Sequence, residues 1–347
     1  MVKRRVGFAL GAASVLGLFA ACANILGVEE LTNGAKAVVD AAPGETAPPY
    51  FCGSDPAPGV PDASEGASKG TLLFALDSID FTTNTATPAL NLDHACTVDR
   101  DSSTCVAPGV GQLNGFALDL PNGADNAMRQ LLLQPLPVAN KSVADMITTE
   151  VQAERWTLLV RITEYDQDKD DPSVGVAIMS GAQRLPDKSW SIDGLSVDGG
   201  SGGAPQAARA WVTGGRLVAM FDTLSFVTRS PAGAFEILLH DAWFVADITP
   251  TALTNGVVAG RWHDTDALLQ IKRFNLPVSC AGKIVSNGFC AVRDIQTNAV
   301  DDGKPIECDA VSLGFRFTAG LSSFADPPAD AGALSDPACA DLPDRCL

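Results

Sequence analysis

The chain has 347 residues, 41 of them Asp or Glu against 24 Lys or Arg, for a formal charge of −17. A surface this acidic offers no Lys/Arg cluster for phosphate contacts, which excludes nucleic acid as a partner, and anionic lipid headgroups repel it. Cations, neutral ligands such as glycans and basic protein surfaces remain as partners, although solubility alone also accounts for such a charge.

Taken in order, the chain opens on Lys3, Arg4 and Arg5, followed by the uncharged, apolar run Val6 to Ala21. A positive head, an apolar segment and small residues are the pattern of a secretory signal. The run is sixteen residues long and broken by Gly7, Gly11 and Gly17, short of the about 20 that a spanning helix needs. It ends Phe19-Ala20-Ala21-Cys22, which resembles the bacterial lipobox, with Phe19 standing where leucine is usual. The resemblance covers residues 1–22 alone. It implies a bacterial lipoprotein precursor: residues 1–21 are removed, the Cys22 sulfur carries a diacylglycerol, and the freed amine is open to a further acyl chain such as palmitate. Two or more chains hold a protein stably on a membrane, at roughly 0.8 kcal/mol per buried CH₂. The expected address is therefore the cell envelope, outer membrane or periplasmic face. An ordinary signal peptide cut near Ala21 would instead leave Cys22 to a disulfide. No later run of 18 or more apolar residues suggests a transmembrane span.

Nine cysteines are an odd number for a secreted chain, and lipidation of Cys22 removes one. Eight remain for four disulfides in an oxidising compartment. No pair is spaced C-x-x-C, so zinc-ribbon and thioredoxin-like readings are poor. Sequence allows many pairings. Short loops favour Cys96–Cys105, Cys280–Cys290 and Cys339–Cys346, which leaves Cys52–Cys308 to tie the N-terminal segment to the end of the domain. Residues 22–70 are rich in Pro, Ala, Gly, Ser and acids, a composition that buries too little apolar surface to order itself. They read as a flexible linker.

The folded part is expected over residues 71–325. Thr71 to Phe81 and Gln112 to Leu120 read as strands, Asn126 to Leu133 has helical spacing, and Ser142 to Glu154 is a helix with Ser142 at its N-cap and Asp145 in its first turn. Trp156 to Tyr165 alternates as a half-buried strand, and Val174 to Met179 follows. After a glycine-rich loop at residues 193–205, Gly214-Gly215 joins Ala208–Thr213 to Arg216–Phe221 as a tight hairpin. Four more short strands are expected, at Leu224–Thr228, Phe235–His240, Ala242–Ile248 and Gly256–Trp262. Asp264 to Phe274 is helical, Lys283 to Gln296 is a weak helix or loop, and Ala310 to Ala319 is the last strand. Residues 326–347 form a Pro- and Asp-rich tail. Many short strands with turn signals between them indicate a mainly β fold, an antiparallel, jelly-roll-like β-sandwich with a few short helices, stabilised by disulfides.

Chemistry is sparse. The three histidines, His94, His240 and His263, belong to no nucleophile, phosphate-binding or metalloprotease motif. Acids near strands (Asp77, Asp80, Glu236, Asp241) form no pair that stands out. Asp166, Asp168 and Asp170 alternate in a loop as ligands of a hard cation such as calcium would. Asp171 stands where that loop type wants glycine, and Ala177 where it wants a bidentate glutamate, so a solvated turn is the plainer reading. Asp119, Asp125 and Asn126, with Asp93 and Gly123 nearby, make a second candidate for calcium, and the same residues serve equally as turn formers and a helix cap. Trp190, beside the glycine loop, is the tryptophan expected to be exposed for glycan stacking, while the other four read as core. The expected role is a membrane-anchored binding or structural module of the envelope, meeting a glycan or an envelope protein, with calcium as its candidate ion. A polysaccharide hydrolase with paired carboxylates on the same fold is the alternative.

Overall fold

The structure, a computed structural model, describes residues 57–346 apart from 64–65, 68–69, 83–88, 98–101, 109–118, 121–122, 134–140, 198–203, 231–232, 274–286, 330–333 and 335–342. Cys22, Cys52, Cys280, Cys339 and most of the strand expected at Gln112–Leu120 lie outside these residues.

The alternating segments become strands β1 (Leu72–Asp80), β2 (Thr157–Thr163), β3 (Gly175–Arg184), β4 (Trp190–Asp193), β5 (Arg209–Thr213), β6 (Arg216–Ser230), β7 (Gly233–Ile248), β8 (Ala252–His263), β9 (Ala310–Leu321) and β10 (Phe324–Ala329). The helices are α1 (Met128–Leu132), α2 (Val143–Gln152), α3 (Asp264–Arg273) and a short α4 at 287–291. The fold is mainly β with short helices, as the sequence indicates, but its strands do not split into two facing sheets. They form one ten-stranded sheet in the order β10-β4-β3-β2-β1-β9-β8-β7-β6-β5, antiparallel except for β10 against β4.

That sheet rolls until its far strand meets it again. The open edge of β5 and the residues before it bond to β3 and the residues leading into it. Asp171 and Val212 exchange both backbone bonds at 2.8 Å, the Val174 amide donates to Ala210 O, Ala207 to Val176 O, and Ile178 to Pro205 O. Eight strands then follow one another round a closed antiparallel meander, β1-β2-β3-β5-β6-β7-β8-β9 and back to β1, with β4 and β10 branching off β3. Closure removes the unpaired edges that an open sheet would expose.

Period-2 alternation decides what fills the barrel. Phe74, Leu158, Val160, Phe244, Leu313 and Phe315 point inwards and belong to one buried cluster, with Phe244 and Phe317 ring centroids 4.7 Å apart. Gly256 makes room for Phe317, since a Cβ there would sit 2.4 Å from the ring. The interior is packed with side chains.

Two expected breaks are bends instead. The inward set on β6 runs Leu217, Ala219, Phe221 and then Leu224, Phe226. On β7 it runs Phe235, Ile237, Leu239 and then Ala242, Phe244. Each phase slips by one residue, which reads as a gap in sequence, yet the ladder continues from Arg216↔Asp247 to Ser230↔Gly233. Asp241, at φ 45°, absorbs the bend in β7, and the β7–β8 register shifts beside it.

Helices seal the end formed by the last residues of β1, β6 and β8. Ser142 caps α2 with a reciprocal Asp145 box, as expected. Ile147 and Val151 of α2, Leu268 and Ile271 of α3, and Phe289 of α4 all join the barrel core. The opposite end carries tight turns, including Gly214-Gly215, where φ values of 60° and 81° suit glycine.

Cysteines staple this cap, with partners that correct the short-loop pairing. Cys105 bonds Cys308, and Cys290 bonds Cys346. Cys96, also disulfide-bonded, is therefore not joined to Cys105. Cys280–Cys290, Cys339–Cys346 and Cys52–Cys308 are likewise replaced. The barrel sets these contacts: Val106 and Ile306 run side by side, with the Val106 amide 2.7 Å from Ile306 O, and bring Cys105 to Cys308.

Candidate functional site

Apolar packing also continues outside the barrel. Leu90 and Leu92, from the loop after β1, lie on an outer wall formed by Val218, Val245, Val257 and Ala259. The segment at 57–59 runs along the same wall, where Trp211 Nε1 donates to Pro58 O and Thr213 Oγ1 to Gly59 O. The loop carrying Leu90 and Leu92 is held down by buried carboxyls, Asp119 and Asp125.

Three segments meet there. From residues 119–126, Asp125 Oδ2 accepts from the Leu92 amide at 2.6 Å and the Asp93 amide at 3.4 Å, and Asp119 Oδ2 accepts from Thr97 N at 2.5 Å. From residues 91–97, Asp93 accepts from Ala95 N and Thr104 Oγ1. From the strand-to-cap connection, Asp294 accepts from the Ser312 amide and hydroxyl, and that hydroxyl in turn accepts from Ala127 N. All four carboxyls are buried.

Burial raises the Asp119 carboxyl to about 6, with the Asp93 charge adding to it against the Thr97 amide bond. Burial also lifts Asp125 well above the carboxylate range, reinforced by Asp93, Asp294 and Asp119. Asp294 reaches about 7 for the same first reason, despite its bonds to Ser312.

Arg261 of β8 is the counter-charge, with a fully buried side chain. It donates to both oxygens of Asp302 at 2.8 and 2.7 Å, to Leu92 O at 2.6 Å and to Gln296 O at 2.8 Å. Its Nε lies 3.3 Å from Asp241 in an ion-pair contact without hydrogen-bond alignment. Burial opposes its charge, but Asp302, Asp241 and Asp125 outweigh that and hold the guanidinium above its usual value. One cation thus ties β7, β8 and two cap loops together.

Of the residues singled out in sequence, Asp119 and Asp125 come together, whereas Asn126 does not join them. Its amide side chain both donates to Gly314 O and accepts from Gly314 N on β9, which commits it to pinning the turn to that strand. Asp166, Asp168 and Asp170 do not converge either. Asp166 Oδ1 accepts from the Asp168 amide and Asp170 Oδ1 from the Gly214 amide, so both serve as turn-forming carboxylates. Among the described residues no group of three or more His, Cys, Asp or Glu side chains is placed to hold a metal ion. Trp190 corrects the exposed-platform expectation. It is 3% exposed, packed on Leu159, Ala177 and Met179 outside the barrel. Trp156, Trp211 and Trp262 are buried as expected.

Sequence reasoning missed Arg261, Asp294 and Asp302. Each sits far along the chain from the Asp119 turn, and the only local sign was an arginine in an otherwise apolar strand. A cleft of about 380 Å³ lies beside the Cys105–Cys308 bridge, lined by Thr104, Ala107, Gly303 and Lys304 among others. Comparison with protein-family models, with curated proteins and with solved structures finds no match for the chain.

Proposed function

We propose that the chain is a lipid-anchored module of the cell envelope, held through Cys22, which binds or braces other envelope components with its outer surface. The observation that carries this reading is the packed barrel interior. Barrels that hold small ligands keep a cavity, whereas Phe74, Phe244, Phe315 and their neighbours fill this one. Recognition is then left to the outer walls, the cap and the turns. The N-terminal residues Phe19 to Cys22 support the anchor. Fractionation of cells producing the wild-type chain and Cys22→Ala tests it. The wild type sediments with membranes until detergent is added and the variant is released. A wild-type chain found free in the soluble fraction would refute the anchor.

One observation favours the hydrolase reading: Asp119 and Asp125 form a carboxyl pair with raised proton affinity, the electrostatic signature of a general acid. Both are buried beneath the cap, so a polysaccharide reaches them only after the cap opens. Reducing-sugar release from envelope polysaccharides, lost in Asp119→Asn, would support this second reading over the first.

A further inference from the structure

Cys96 is disulfide-bonded. Cys105 and Cys308 hold each other, as do Cys290 and Cys346, so its partner is one of Cys22, Cys52, Cys280 and Cys339. The lipid anchor proposed above uses Cys22, and on that reading three candidates remain.

Contacts among the described residues separate the three. The N-terminal segment is seated on the outer wall, where Trp211 Nε1 donates to Pro58 O and Thr213 Oγ1 to Gly59 O. These two bonds set its direction. It runs parallel to β5, so the chain upstream of Pro58 heads from Trp211 towards Arg209, away from the Gly214-Gly215 turn and towards the cap. The wall continues that way. Trp211, Val218, Val245 and Val257 pair in one row across β5 to β8, and Met220, Trp243 and Ala259 pair in the next. Ala57 packs on this cluster together with Leu90 and Leu92. One step further along β8, Arg261 donates to Leu92 O at 2.6 Å, and Cys96 follows in the same loop.

Reach allows the connection. The stretch from Cys52 to Pro58 spans about 20 Å when extended, and crossing from β5 to β8 takes three strand spacings, about 14 Å. Cys280 and Cys339 are drawn to a different contact. Cys280 follows α3, and Cys339 precedes Asp344, which pairs with Lys272 in the last turn of α3. That contact directs these two at each other rather than at the 90–97 loop.

We propose that Cys52 is the partner of Cys96, which makes the N-terminal segment a strap fastened at both ends. It is hydrogen-bonded at Pro58 and Gly59 beside β5, and locked covalently to the loop that Arg261 holds. In forming the bond, the two thiols give up two protons and two electrons to a disulfide-bearing oxidant, which leaves as two thiols. Tension on the lipid anchor then reaches the barrel through a covalent bond rather than through two hydrogen bonds. The linker is shortened to residues 23–51, and it leaves the barrel beside the cap.

Peptide mapping of the full chain tests the strap. The protein is extracted from envelopes with free thiols blocked by N-ethylmaleimide, unfolded, and cut with trypsin without reduction. Trypsin separates all nine cysteines, because a Lys or Arg lies between each neighbouring pair. Residues 37–69 are expected joined to residues 70–100, in a species lost on reduction. In Cys52→Ser the 70–100 peptide should be fully labelled by maleimide, where the wild-type peptide carries none. Linkage of 70–100 to 274–283 or 317–345, or labelled Cys96 in the wild type, overturns the strap and leaves the anchor standing. Linkage to the peptide carrying Cys22 overturns both. The expected linkage in a chain that does not sediment with membranes overturns the anchor alone. Should Cys52→Ser fail to fold, the wild-type map decides.

Discussion

Replacing Arg261 with methionine probes the joint that holds the cap to the barrel. The guanidinium makes four hydrogen bonds of 2.6–2.8 Å and one ion-pair contact from a fully buried position. Methionine fills much of the volume but leaves Leu92 O, Gln296 O and the Asp302 carboxylate without their donors. Breaking a buried pair by removing one partner costs about 3–5 kcal/mol, mostly from the charge left behind. Asp302 limits that penalty by taking up a proton, its affinity being raised by burial already, so we expect about 3–4 kcal/mol. For a domain of this size that lowers the melting temperature by about 6–16 °C. Thermal unfolding of the oxidised chain followed by circular dichroism, with guanidinium titration as a check, measures it. Arg261→Lys, which keeps the charge but loses the fork, should fall between wild type and methionine. A loss under about 1 kcal/mol for Arg261→Met would show that the cap does not depend on this residue and would refute the reasoning.

Three other outcomes follow from particular contacts. Gly256→Ala places a Cβ against the Phe317 ring and should destabilise by about 1–3 kcal/mol, against about 0.5 kcal/mol or less for Gly59→Ser, an open position without a positive φ; denaturant midpoints compare them. Trp190→Ala removes a buried indole and should cost about 3–5 kcal/mol, whereas an exposed stacking residue would leave the midpoint unchanged. Asp294, raised to about 7 by burial, stabilises the fold most below pH 3.8 and loses that contribution as pH rises through 7. Stability against pH should therefore flatten over that window in Asp294→Asn, and an unchanged slope would contradict it.

Local signals were legible where local chemistry decides. The Gly214-Gly215 turn, the Ser142 cap with Asp145 and the helix after His263 rest on contacts a few residues apart, and all are found. Closure of the barrel was not legible, because a sandwich strand and a barrel strand both bury one alternating face. What separates them here is the pairing of residues 205–212 with 171–178. The slipped phase at Asp222 and Asp241 read as strand ends, since an inward set that changes parity mimics a break. Cysteine spacing favoured short loops, but Cys105 and Cys308 are 203 residues apart and meet because the sheet brings their segments together. The Asp119–Asn126 turn was visible as an acidic group, while its meaning changed with Arg261 and Asp294, supplied by a strand and a cap segment more than a hundred residues downstream.

The packed, closed barrel underlies the proposal of a surface-acting module, and native-state hydrogen exchange at the seam tests it most directly. The amides of Asp171, Val174, Ile178, Ala207 and Val212 join β3 to β5. In a closed barrel Val212 and Ile178 exchange as slowly as Phe244 and Val245 in the middle of the β7 ladder, at the free energy of global unfolding. If the seam amides exchange orders of magnitude faster than that ladder, β5 is a free edge, the sheet is open, and its inner face is available to a ligand.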